Sequence, residues 1–249
     1  MEQTGYTNKY YRNIETAALT SAQVIVPYLI ESYSPNSVVD IGCGRGAWLS
    51  VFAENGVKRY RGFDGQWVDK EKLLIPVDKF TQAGLEAFEA PKWVETNKFD
   101  LAISLEVAEH LPWQSAKNFI KQLTTFSDRV IFSAAAPLQG GLNHVNEQPP
   151  SYWAKRFEAC GFRQLDNLRP YFWDNKQVAW FYSQNIFVYE KKTLGSGCEP
   201  TPQSSIGLKS FHGAHLIHPR NYNWKMLKIE TLLKDSVSNI FTGPLNRDS

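Results

Sequence analysis

The sequence predicts an α/β fold: a Rossmann-like, doubly wound, mostly parallel seven-stranded sheet with an antiparallel last strand, plus a C-terminal helical extension. Three observations predict it. Short β-branched runs alternate with helix-length stretches; the first such run, SVVDIG, passes straight into the glycine-rich GCGRG; and the final aromatic stretch, WFYSQNIFVYE, has strand character with no helix after it. Ahead of the first strand, residues 14–32 read as a helix. After it come AWLSVFAEN as a helix, RYRGF and KFDLAISL as strands, AKNFIKQLTTF as a helix, DRVIFSAA as a strand and SYWAKRFEACGF as a helix closed by Gly161. Parallel strands in that order require crossover helices between them. The aromatic last run returns antiparallel to the strand before it.

A chain of 249 residues, 43% of them hydrophobic, suffices for one full-sized domain and an appendage. Residues 1–36 form an N-terminal helical segment, 37–192 the main domain, 193–221 a linker and 222–241 an amphipathic helix. The linker is marked by TLGSGCEPTPQSSIG, rich in Gly, Ser, Pro and Thr. In the last segment Met226, Ile229, Leu233, Val237 and Ile240 form an apolar stripe, which packs on its own domain or joins a sister subunit into a homodimer. The formal net charge is +2 with Lys and Arg scattered, so no basic block announces a nucleic acid, which is disfavoured as a substrate. Cys43, Cys160 and Cys198 stand at unrelated spacings and suit a reducing compartment. The N-terminus lacks a basic region followed by an apolar core, and the early apolar run Val24 to Ile30 is far below spanning length. A cytoplasmic protein without membrane insertion is expected.

Function starts at VVDIGCGRGAWL, which puts Gly42, Gly44 and Gly46 at a strand-to-helix turn where backbone can approach a ligand. Gly42-x-Gly44-x-x-Ala47 also fits the dinucleotide fingerprint, with Asp64 about twenty residues on as the ribose carboxylate. Asp40 separates the two ligands. It stands two residues before the first glycine, where a carboxylate would repel the pyrophosphate of NAD or FAD and welcome a cation. S-adenosylmethionine carries a sulfonium and an ammonium and no phosphate, so Asp40 and Asp64 fit it better. An NAD-dependent oxidoreductase is the alternative, and a non-catalytic S-adenosylmethionine-binding scaffold is a third reading.

On VVDIGCGRG, the acidic second-strand end GFDG, and FDLAISLEVAEHLP, the chain resembles the class I S-adenosylmethionine-dependent methyltransferases over residues 37–190. GFDGQWVDKEKLLIP, SLEVAEHLP and HVNEQPPSYW further resemble a bacterial branch linked to sugars, surface polysaccharides or secondary metabolites. The resemblance implies that Asp40, Gly42, Gly44 and Gly46 surround the methionine part of the cofactor and that Asp64 binds its ribose hydroxyls. Trp67 either covers the adenine or is plain core. Such enzymes often end their third strand in an acidic residue near the adenine amino group; here KFTQAGLEAF offers Gly84 instead.

Methyl transfer is an in-line displacement, so the protein positions the acceptor and, for a hydroxyl, removes its proton. Ligands of a parallel sheet bind beyond the carboxyl ends of its strands. Glu106, Glu109 and His110 follow the fourth strand, and His144, Asn146, Glu147 and Gln148 the fifth, so both groups overlook one crevice. His144 is the preferred general base, against a reading in which it only ties its loop down. Glu106 shapes the site at the strand end. His110 either joins catalysis or braces the helix near Pro112, and Asn146 and Gln148 either orient polar acceptor groups or satisfy their own loop. Tyr152, Trp153, Trp173 and Trp180 are either core or a platform for a sugar ring, with core the commoner role, and are left out of the site. His212, His215 and His218 recur every third residue, but Gly213 and Pro219 break the helix that would align them, which favours a loop role over metal binding; a divalent ion assisting the acceptor from Asp and Glu side chains stays open, and the sequence offers no ligand set for it. The expectation is a methyltransferase acting at an oxygen of a small-molecule or glycan acceptor.

Overall fold

The computed structural model describes residues 8–192 and 217–221. Cys198, His212, His215, most of the linker stretch and the 222–241 stripe lie outside the described residues. In chain order the elements are α1 (Asn8–Tyr33), β1 (Ser37–Ile41), α2 (Ala47–Glu54), β2 (Arg59–Asp64), β3 (Phe80–Gln82), β4 (Leu101–Leu105), α3 (Ala116–Phe126), β5 (Arg129–Ser133), α4 (Pro150–Ala159), β6 (Phe162–Leu165), α5 (Arg169–Phe172), α6 (Trp180–Asn185) and β7 (Phe187–Lys191). Every residue of β1 and β4 is buried, as β-branched and aliphatic central strands covered on both faces should be.

The seven strands run in the order β3-β2-β1-β4-β5-β7-β6. Neighbours are parallel except for β7, which is antiparallel to both β5 and β6. Strand order reverses between β1 and β4, and the crevice for ligands opens at the carboxyl ends there. One face of the sheet is covered by α1 and α2, which bury Ala22, Ile25, Leu29, Trp48, Leu49 and Phe52. The other is covered by α3 and α4, with Phe119, Leu123, Phe126 and Phe157 packed on Phe63 and Phe132. Each such Phe contributes about 1.5–3 kcal/mol by leaving water. Among the described residues no helix is long and apolar enough to cross a membrane.

Two elements differ from the sequence reading. WFYSQNIFVYE is not one strand: its first half is α6 and only Phe187–Lys191 is strand. β5 is five residues long, and its register from Arg129↔Glu190 to Phe132↔Phe187 uses up the second half alone. The first half instead closes a helical turn, with the Tyr182 and Ser183 amides donating to the Ala179 carbonyl, which carries Ser183, Gln184 and Asn185 indoors. Phe162 likewise belongs to a strand, because Gly161 at φ 83° ends α4 and turns the chain directly into β6. The fully buried Arg169 fixes α5 to α6: it pairs with Asp166 and donates from Nη1 to the Gln184 carbonyl. Within the stretch read as linker, His218 and Asn221 are buried, and both donate to Gln184 Oε1, His218 from its backbone amide and Asn221 from Nδ2.

Candidate active site

At the end of β1 the chain turns back on β2, with the Gly42 and Cys43 amides both donating to the Phe63 carbonyl at 2.8 and 3.2 Å. Gly42 has φ 87°, and a Cβ there would lie 2.3 Å from Val107 Cγ2. Gly44, at φ 54°, has nothing within 4 Å of an added Cβ, so its open face is room for a ligand. Asp64 Oδ2 accepts from the Gly44 amide and Oδ1 from the Gly65 amide, both at 2.6 Å. Trp67 is 70% exposed, which removes the core reading, and its indole lies against the open face of Gly65.

Asp40 is 2% exposed. Burial, and then the charge of Asp64, push its carboxyl well above the usual range. Burial raises Asp64 as well, opposed by the Gly44 and Gly65 amides and the Trp67 indole. Two buried carboxylates side by side need a partner that brings positive charge and hydroxyl donors. A sulfonium, an ammonium and ribose hydroxyls supply both, whereas a pyrophosphate would add to the repulsion. Gly84 follows β3, also with nothing within 4 Å of an added Cβ.

Across the switch point β4 ends in Glu106, held at φ 56° by its amide, which donates to both the carbonyl and Oγ of Ser133 at 3.0 Å. A left-handed Glu is uncommon and persists only where its surroundings fix it. Its carboxylate accepts from Gln139 Nε2 at 2.9 Å and Asn185 Nδ2 at 3.1 Å. Burial raises the Glu106 carboxyl, and these hydrogen bonds oppose it. The next turn, Ala108–His110, places Glu109 at 0% exposure, with neither carboxylate oxygen in hydrogen-bond geometry with any group among the described residues. Burial and then Glu106 drive that carboxyl well above its ordinary value, although the Ala135 and Glu109 backbone amides stand near enough to oppose them.

The loop after β5 is pinned onto this turn. Val145 and Asn146 amides donate to the Glu109 carbonyl at 2.9 and 3.0 Å, and the Gln148 amide to Ala135. His144 Nδ1 lies 2.9 Å from Glu147 Oε1, which also accepts from the Gly140 amide at 2.6 Å. His110 meets His144 edge to face with ring centres 4.8 Å apart, and its Nδ1 lies 3.4 Å from the Asn143 carbonyl. Burial and then His144 lower the His110 pKa, although one edge of the ring reaches solvent.

The sequence-predicted residues thus gather as two groups: Asp40, Gly42, Gly44, Gly46, Asp64 and Trp67 on one side, and Glu106, His110 and His144 on the other, with Gln148 partly exposed nearby. Asn146 is a correction. It is 2% exposed, with Nδ2 directed at the Ala108 carbonyl and Oδ1 accepting from Gln148, so it braces the loop rather than facing an acceptor. Trp153 and Trp173 are core. His218 is also structural, using Nε2 on the Trp173 carbonyl and Nδ1 on the Arg220 amide. Sequence reading missed Gln139, Gln184 and Asn185, the amide set behind Glu106. It left Glu109 unassigned and found no metal ligand set, yet Glu109, His110 and His144 bring one ligand atom each within 4.8 Å of one another. The signal was present in Glu109–His110 adjacency. A cleft of about 430 Å³ between Tyr33, Lys98 and Arg129 lies at the opposite end of the strands and touches neither group.

A turn that calls for a cationic ligand with hydroxyls, facing a histidine-bearing mouth across the switch point of a parallel sheet, defines an S-adenosylmethionine-dependent methyltransferase. The chain belongs to the family described as "Methyltransferase domain", which matches residues 19–175. Its cofactor is therefore S-adenosylmethionine, and the dinucleotide reading of the turn falls. Among curated proteins none matches. Solved structures of the same fold include the methyltransferase domain of a bacterial Hen1 protein, CtHen1-C, at 20% identity and TM-score 0.53, covering 71% of this chain and 100% of that one. Magnesium protoporphyrin IX methyltransferase from Synechocystis PCC 6803 with bound SAH is similar at 18% identity and TM-score 0.52, covering 76% and 90%. An O-methyltransferase family protein from Burkholderia thailandensis follows at 12% identity and TM-score 0.52, covering 74% and 59%.

Proposed function

We propose that the protein methylates an oxygen of a small-molecule or glycan acceptor that enters beside the 140–148 loop. The observation that carries this reading is the closeness of the two groups: β1 and β4 are neighbours with Asp40 paired to Ile103, so the carboxylate of Asp40 and the Glu106–His110 turn stand at adjacent strand ends. S-adenosylmethionine supplies a methyl group already activated on a sulfonium. The residues of the chain do the rest. Asp40, Gly42, Gly44 and Gly46 hold the methionine end, Asp64 the ribose hydroxyls, and the exposed Trp67 ring covers the adenine. With Gly84 after β3, backbone groups take the place of a carboxylate at the adenine amino group. In the simplest scheme His144 is the general base, because Glu147 accepts from Nδ1 and leaves the Nε2 lone pair for the acceptor proton. The acceptor oxygen's lone pair forms the bond to the methyl carbon, the carbon–sulfur pair goes to sulfur, and the hydroxyl proton goes to His144. Glu106 and His110 shape the mouth, and Gln148 meets a polar acceptor group. Free Cys43 and Cys160 support a cytoplasmic setting, and the Met226–Ile240 stripe is the surface proposed for a homodimer.

Isothermal titration with S-adenosylmethionine and a radiolabelled methyl-transfer assay over host extracts test this. Asp40→Ala should abolish binding, while His144→Ala should keep binding and lose turnover. Full turnover in His144→Ala would remove that residue from the chemistry.

A further inference from the structure

We propose that Glu109, His110 and His144 hold a divalent transition-metal ion at the acceptor end of the crevice. The proposal rests on the methyl-transfer reading for its purpose and changes one role within it. The three side chains come from two loops that the backbone draws together, since the Val145 and Asn146 amides donate to the carbonyl of Glu109 itself. One ligand atom from each lies within 4.8 Å of the other two. Around an ion at roughly 2.1 Å, cis and trans ligand atoms stand about 3.0 and 4.2 Å apart, so small side-chain rotations close the set.

A second, independent observation points to a cation. Glu109 is 0% exposed, and among the described residues neither carboxylate oxygen makes a hydrogen bond of good geometry, while the carboxylate of Glu106 stands against it, a repulsion that a cation would offset. A buried carboxylate is otherwise hydrogen-bonded or paired, and an ion is what this one lacks. The histidines are oriented for it as well. His110 Nδ1 faces the Asn143 carbonyl and His144 Nδ1 faces the Glu147 carboxylate, oxygens that only accept. Each Nδ1 therefore carries the hydrogen and each Nε2 keeps its lone pair, with an acceptor behind the ring as metal-binding imidazoles have.

Two imidazoles and one carboxylate select Mn²⁺, Co²⁺, Ni²⁺ or Zn²⁺ over Mg²⁺ or Ca²⁺, which prefer all-oxygen shells. Three protein ligands leave positions open for an acceptor oxygen. There the ion polarises the hydroxyl so that its proton leaves to water near neutral pH, while the oxygen pair forms the bond to the methyl carbon and the carbon–sulfur pair goes to sulfur. His144 is then a ligand rather than the base. Glu106 bounds the site, its oxygens occupied by Gln139 and Asn185.

The test is titration of full-length, chelator-treated protein with Co²⁺ alone, followed by its visible absorption, and with Mn²⁺, followed by the resonance of the free ion. One ion per chain is expected in the wild type. Glu109→Gln and His144→Ala should lose it, as should His110→Asn at a solvent-reaching position that cannot disturb the core, and Glu147→Gln should weaken it about 10- to 100-fold. All four variants should still bind S-adenosylmethionine. Asp40→Ala should show the converse, binding the ion and losing the cofactor, so that a chain unable to bind cofactor is told apart from one without a metal site. Absence of a stoichiometric ion in the wild type, or unchanged ion affinity in Glu109→Gln and His144→Ala, overturns the proposal.

Discussion

Replacing Gly42 with Ala tests the turn on which the cofactor end depends. At φ 87° an L-residue pays about 1–2 kcal/mol for the left-handed backbone. The added methyl would also lie 2.3 Å from Val107 Cγ2 and 2.7 Å from Cγ1. Val is stiff about χ1 and has no longer arm to swing, so overpacking adds about 1–3 kcal/mol. The sum, ~2–5 kcal/mol, is a large share of a domain's total of about 5–15 kcal/mol. Val107→Ala keeps only the Cβ, 3.1 Å from the new methyl, and so removes most of the steric part and none of the backbone part. A double-mutant cycle from urea unfolding should therefore show a favourable coupling of ~1–3 kcal/mol at constant m. Titration calorimetry should show that Gly42→Ala loses cofactor affinity and that the double mutant recovers part of it. If Gly42→Ala is as stable as the wild type, or the coupling is zero, the contact with Val107 is not why the position is glycine.

Three further perturbations follow from the same geometry. Asp40 has a folded-state pKa raised by burial and by Asp64, so its contribution to stability is full below the unfolded carboxylate value and is lost as pH rises through the folded one. Cofactor-free Asp40→Asn should accordingly gain on the wild type in thermal unfolding as pH rises from about 4 toward neutral, while binding cofactor less well; a difference that does not change with pH would contradict this. Glu106→Ala strands the Gln139 and Asn185 amides and should cost about 1–3 kcal/mol in urea unfolding together with turnover, so an unchanged midpoint would count against the network. His218 is held neutral by burial and bonds Trp173 and Arg220; its stability contribution is full above about pH 6.5 and lost as pH falls toward its lowered folded value, so His218→Ala should flatten the acid slope of the melting temperature.

The turn proposed for the cofactor was legible as structure because its signals are local. Asp40, the glycines and Asp64 lie at strand ends that β-branched runs announce, and their spacing alone sets the turn. Trp67 needed the structure, since no pattern separates an aromatic lying over Gly65 from one in the core. The side proposed for the acceptor was half legible. His144 and Glu106 follow recognisable strands, but what each touches is decided by contacts across the sheet, such as Asn185 to Glu106 at a separation of 79 residues. The amides behind Glu106 were hidden by aromatic, strand-like neighbours in WFYSQN, whose helical turn is imposed by the short pairing of β7 with β5. Asn146 could not be assigned from sequence, because an amide that braces its loop and one that meets a substrate carry the same letter.

The amide network also explains why Glu106 can sit in a left-handed conformation at the mouth. Its carboxylate receives only donors, from Gln139 and Asn185. Gln139 Oε1 in turn receives Asn185 Nδ2 and Gln184 Nε2, and Gln184 Oε1 receives the His218 amide and Asn221 Nδ2. Each oxygen in the chain is satisfied by the next residue's nitrogen, so the direction of every amide is fixed by its neighbour and the last donors come from residues 218 and 221. A buried polar chain of this kind is stabilising only when each member is present, because one missing donor leaves a desolvated oxygen and frees the amide before it to turn. The stretch that composition marks as linker therefore supplies, at its far end, the donors that orient α6. Through α6 it sets the carboxylate at the end of β4, so His218 and Asn221 are part of what shapes the mouth proposed for the acceptor.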